Sequence, residues 1–126
     1  MGSRGAFVNV NTGNFSFVQG GQHYFSIGTL STNPNVKVLV QPKGSVKAPE
    51  FSHTEGRVYA IVQEGRLKHV TYYDEKHNQA VSIDLTIPHD GLLPHKHIYL
   101  NHKKGDPISD DERRLVEQIR KEFNLR

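Results

Sequence analysis

Leu67-Lys68-His69-Val70-Thr71-Tyr72-Tyr73 and Gln79-Ala80-Val81-Ser82-Ile83-Asp84-Leu85-Thr86, joined by Asp74-Glu75-Lys76-His77-Asn78, decide how this chain folds. Val70 and Tyr72 alternate with His69, Thr71 and Tyr73, and Val81, Ile83 and Leu85 alternate with Ser82 and Asp84. A period of two is that of a strand with one buried face. The intervening stretch is polar and suited to a turn, so the pair reads as an antiparallel hairpin. A slip of one residue would expose every apolar side chain, so burial should set the register.

The same alternation recurs downstream in Pro94-His95-Lys96-His97-Ile98-Tyr99-Leu100-Asn101-His102. Ile98 and Leu100 take one side, and His95, His97 and Tyr99 the other. Further on, Ser109 followed three residues later by Glu112 is a capping-box pattern. Asp110, Asp111 and Glu112 suit the positive end of a helix, and Arg120 and Lys121 its negative end. Leu115, Val116, Ile119 and Phe123 form one apolar stripe, which predicts a helix packed on the sheet.

Upstream, Val58 to Val62 reads as a strand and Glu64-Gly65 as a turn. Pro42 to Gly56 mixes Pro, Gly, Ser, His and charge; it reads as an irregular connector, either a functional loop or a boundary between subregions. Val36 to Gln41 is a strand after a loop at Ser31 to Asn35, and Gln22 to Leu30 is another. Ala6 to Asn11 and Asn14 to Gln19 flank Thr12-Gly13 as a hairpin. The expected fold is α+β, mainly an antiparallel sheet with an N-terminal β-hairpin region and one C-terminal helix on its apolar face. The 126 residues fit one domain, with a β-region at 1–47 and a His-rich sheet plus helix at 48–126.

The chain has no Cys, which rules out disulfides and cysteine-ligated zinc. No apolar run approaches a bilayer span, so no membrane partner is expected. Met1 to Ala6 lacks an apolar signal core. A formal charge of +3 permits an anionic partner such as RNA without demanding one.

Six of the eight histidines fall between residues 69 and 102. If the strands share a sheet, their polar sides align and collect His69, Thr71, Tyr73, Ser82, Asp84, His95, His97 and Tyr99, with His89 and His102 flanking the last strand. Imidazole exchanges protons near neutral pH and binds metals. Asp84 is placed either to orient an imidazole or to face solvent. Tyr73 and Tyr99 suit cross-strand packing or base stacking. His23, His53 and His77 sit in turns or the connector and read as surface residues.

Gly56-Arg57-Val58-Tyr59, Leu67 to Asp74, Ser82-Ile83-Asp84-Leu85, His89 and Pro94-His95-Lys96-His97 together resemble a module of small proteins from phages and prophages of Gram-positive bacteria, encoded near phage head genes. Similar His-rich ends look like those of bacterial polymorphic toxins, metal-independent endoribonucleases of the barnase, colicin and RelE-like kind. The resemblance spans roughly residues 48 to 103. It implies a ribonuclease-like site in which His95, His97, His89 and His102 are the catalytic candidates. One imidazole would take the proton of an RNA 2′-hydroxyl, a second would protonate the leaving 5′-oxygen, and Lys96 or Arg57 would steady the phosphorane. Asp84, Tyr99, Tyr73 and His69 would support them. For Arg57 a structural ion pair is the competing expectation.

Two other classes stand beside this one. A non-enzymatic head-associated protein would use the same surface to bind phage head or portal proteins, or RNA. A metal-binding module would hold zinc or another divalent ion through His95 and His97 with His89, Asp84 or His102. The expected location is the bacterial cytoplasm or the virion.

Overall fold

A computed structural model describes residues 7–8, 15–86, 93–98 and 105–126. His89, Tyr99, Leu100 and His102 lie outside them. The strands are β1 (Phe7–Val8), β2 (Phe15–Gln19), β3 (Gln22–Leu30), β4 (Asn33–Val40), β5 (Val58–Gln63), β6 (Arg66–Tyr73), β7 (Gln79–Asp84) and β8 (His95–Ile98). One helix, α1 (Asp110–Phe123), follows. The strands lie side by side in chain order in a single sheet, so the sheet runs without a break past the connector. Every neighbouring pair is antiparallel except β4 and β5, which are parallel. Parallel neighbours need a long crossover, and the connector, residues 41–57, is that crossover.

Several boundaries differ from the sequence expectation. β4 begins at Asn33, inside the expected loop, and leaves only Ser31-Thr32 as the turn. β7 ends at Asp84 instead of Thr86. There Asp84 Oδ1 accepts from the Thr86 backbone N–H at 2.8 Å, a local side-chain turn that competes with the ladder.

The alternation sorts cleanly onto two faces. On the first, Leu30, Val36, Val38, Val58, Ala60, Val62, Leu67, Val70 and Ile83 pack with Ile108, Val116 and Ile119. This is the predicted helix-covered core. Ser109 caps α1, and the reciprocal Glu112 contact to the Ser109 N–H completes the capping box. At the other end of α1, Phe123 lies against β3, where a Cβ on Gly28 would come within 3.2 Å of Phe123 Cε2. Ile98 shares the helix side but, on the last strand, is 46% exposed instead of buried.

The second face holds a smaller core of Phe17, Tyr24, Leu39, Tyr59, Ile61 and Tyr73, with Ala48 from the crossover. No helix covers it. The crossover lies over it as a strap, held by side chains. Buried Gln41 donates to Gln22 Oε1, Lys43 O and Ser45 O and accepts from Lys47 N. Gln63 reaches Gly44 O, Tyr24 reaches Lys47 O, and Tyr73 reaches Pro49 O. Gln19 makes a two-way amide pair with the Phe51 backbone. His77 meets Ser52 O at 3.0 Å and His53 stacks edge-on to Phe17. These two rings are therefore half-buried pins of the strap, not the surface residues expected, because the strap folds back over the sheet. His23 is exposed as expected. Among the described residues, no helix is long and apolar enough to cross a membrane.

Candidate functional site

The strap covers the second face from β2 to β6 and leaves polar residues towards β8. Register aligns them in two rows. In one, His69 on β6 pairs with Asp84 on β7, and Asp84 pairs with His95 on β8. In the next, Thr71 pairs with Ser82, and Ser82 with His97. The polar face expected from alternation is thus assembled for His69, Thr71, Ser82, Asp84, His95 and His97. The reason is the one given by the pattern: Val70, Ile83 and their neighbours can be buried only in this register.

Side chains link these rows. His69 Nε2 stands 3.6 Å from Asp84 Oδ2. The other carboxylate oxygen of Asp84 is occupied by Thr86. Asp84 therefore meets an imidazole, and that imidazole is His69. Thr71 Oγ1 and Ser82 Oγ share a hydrogen bond of 2.9 Å. Along β8, His95 Nε2 and His97 Nε2 are 3.0 Å apart, with ring planes nearly perpendicular at 88°. At that distance one nitrogen must donate and the other accept, so the pair holds a proton between two rings. His95 is buried, at 2% exposure, whereas His97 is half-buried.

A cavity of about 260 Å³ opens between the strap and β6–β7. Lys47 and Ala48 wall it from the strap, and His69, Gln79, Ser82 and His97 from the sheet. Its strap wall was not legible in the sequence: nothing in the composition of residues 42–56 tells which face they cross.

The remaining candidates lie elsewhere. Lys96 is on the opposite face, where its Nζ is 3.0 Å from Glu112 Oε1 of α1. Burial raises the Glu112 pKa, but the Ser109 N–H, Lys96 and the Ser109 hydroxyl together outweigh it and hold the carboxyl below its ordinary value. Arg57 precedes β5, three strand spacings or about 14 Å from β8. It donates to Pro34 O, Asn35 O and Thr54 Oγ1. Nearby, burial first and Arg57 second lower the Lys37 pKa. Tyr73 is buried against Tyr59, with ring centroids 5.1 Å apart, and its hydroxyl is committed to Pro49 O. Burial pushes its pKa up. It packs the core where base stacking was the other expectation. Tyr99, His89 and His102 lie outside the described residues.

For a metal, His95 and His97 offer two ring nitrogens. Among the described residues, no three His, Asp or Glu side chains are grouped to hold an ion. Comparison of the chain with protein-family models, with curated proteins and with solved structures returned no significant match.

Proposed function

We propose that this protein is a phage- or prophage-encoded endoribonuclease that works by histidine acid–base catalysis, without a metal. The observation that carries this reading is the His95–His97 pair, with ring nitrogens 3.0 Å apart, beside a cavity that His97 helps to line. Imidazoles supply both a proton acceptor and a proton donor near neutral pH, and positioned groups of this kind accelerate a reaction by roughly a hundred- to ten-thousand-fold. The +3 formal charge permits a polyanionic substrate. The protein would act in the bacterial cytoplasm or travel with the virion.

The test is cleavage of single-stranded RNA in EDTA, with 2′,3′-cyclic phosphate ends as the expected product. DNA should survive, because it lacks the attacking 2′-hydroxyl. His97→Ala should lower the rate at least about a hundredfold with folding unchanged. Intact RNA after prolonged incubation with pure wild-type protein would end this reading.

A second reading draws on a different surface. Val18 and Phe25 lie on the helix side of β2 and β3 at 43% and 41% exposure. Exposed apolar side chains grouped in this way suit a protein partner, as a head-associated binding protein would require. Val18→Asp/Phe25→Asp should then abolish incorporation into phage particles while leaving RNA cleavage untouched.

A further inference from the structure

We infer that His69, not His95, is the imidazole that works opposite His97, with Asp84 and His95 as the positioning residue behind each. This deepens the ribonuclease reading of the same face and rests on it.

Three observations converge. First, the described histidines that line the cavity are His69 and His97, with Ser82 on the strand between them. His95 is 2% exposed and cannot meet a substrate without a rearrangement of the edge strand. Second, each of the two cavity imidazoles has its own partner. His69 has Asp84 at 3.6 Å, and His97 has His95 at 3.0 Å. Third, the partners differ in chemistry, which assigns the roles. A carboxylate stabilises a ring that gains a proton, so it belongs behind a base. A neutral imidazole accepts a hydrogen bond from a ring that already carries a proton, so it belongs behind an acid. The 3.6 Å separation is a charge contact longer than a formed hydrogen bond, and such contacts commonly tighten only when substrate is bound.

In the reaction His69, with Nε2 towards Asp84, takes the 2′-hydroxyl proton on Nδ1. The 2′-oxygen attacks phosphorus and the bond from phosphorus to the 5′-oxygen breaks. His97, protonated at the start, turns its Nε2–H from His95 to the departing 5′-oxygen. The products are a 2′,3′-cyclic phosphate and a 5′-hydroxyl. His69 ends charged and His97 neutral, and exchange with water restores both. Among the described residues, the charged or titratable groups around the two rings include Asp84 on β7, His95 on β8 and Lys47 on the strap.

The experiment measures kcat/KM against pH on a mixed-sequence RNA oligonucleotide. His69→Gln should cost at least about a hundredfold and remove the acidic limb of the profile. Asp84→Asn should lower kcat at least about tenfold while KM stays within about twofold, because Asp84 orients His69 and does not touch substrate. His95→Gln should do the same through His97. If His69→Gln does not fold, the Asp84→Asn kcat decides. A His69→Gln protein within about threefold of wild type, or an Asp84→Asn protein with kcat unchanged, overturns the assignment while the ribonuclease reading stands. If wild type leaves RNA intact, the ribonuclease reading fails, and the pairing is read from histidine-ring ¹⁵N spectra titrated with inorganic phosphate. His69 and His97 responding together at one Kd supports it. A response of His95 and His97 without His69, or no response, overturns it.

Discussion

The two faces of the sheet are closed by different means. Over one face lies α1, whose Val116 and Ile119 meet a layer of Val, Leu and Ile with few polar atoms. Over the other lies a strap with no regular structure of its own, held by Gln41, Gln63, Tyr24, Tyr73 and Gln19 through hydrogen bonds to its backbone. Apolar contact is non-directional and needs only a matching stripe. A strap has unpaired backbone groups, and a buried one must find a partner for each of them. The second face therefore carries long polar side chains among its aromatics. Where the strap ends, the same polar character continues as Thr71, Ser82, His69, Asp84 and the β8 histidines. Among the described residues the histidines of β6 and β8 are on the face closed by hydrogen bonds, whereas the helix face carries Lys96 and Glu112 as an ion pair at its margin.

The largest effect should come from breaking the apolar closure. Ile119 is fully buried, and Ile119→Ala should cost about 2–5 kcal/mol in chemical denaturation. An unchanged midpoint would show that α1 contributes nothing to the core.

A smaller loss is expected from the polar closure. Gln41→Ala strands the Lys47 N–H and removes the amide that gathers Lys43 O and Ser45 O. The cost should be about 1–3 kcal/mol, with amide exchange rising at Lys47 but not in α1. Equal protection loss on both faces would mean that the strap and the helix form one cooperative unit.

The smallest effect separates the faces by pH. On the strap side, burial first, and then Lys37, Arg57 and His77, hold the His53 pKa below its ordinary 6.5. The folded state binds that proton less readily than the unfolded one. Its contribution is therefore whole above pH 6.5 and is lost as pH falls towards the folded value. On the helix side, Glu112 is likewise lowered, from 4.5, so its contribution is whole above pH 4.5 and is lost only in more acidic solution. On acidification, exchange should rise first at the strap and later at the α1 N-terminus. His53→Gln should remove the first phase, and Glu112→Gln should flatten the second. Loss of α1 protection before strap protection would reverse the comparison.

Much of this was readable in the chain. The period-two runs at 67–73 and 79–84 placed His69, Thr71, Ser82 and Asp84 on one side, and the register bears this out. The capping box and the stripe of α1 were legible because both are local patterns whose successive members stand no more than four residues apart. The parallel pairing of β4 with β5 was not, since a crossover and a hairpin loop can share one composition. Lys96 is a different case. It was expected to serve the histidine face, but as the neighbour of both His95 and His97 in a strand it points to the other side, where Glu112 pairs with it.

By itself the sequence determined which side chains share a face, because the geometry of a strand turns every second residue the same way. It also determined that a helix would close one side. Tertiary structure alone decided which of those side chains meet. Asp84 stands one strand away from both His69 and His95, and alternation cannot choose between them. The structure sets Asp84 Oδ2 at 3.6 Å from His69 Nε2, with Thr86 on Oδ1 at the strand end. Whether a histidine faces a cavity or lies buried depends on where the strap and the edge strand sit, and those positions are set by contacts between residues distant in the chain.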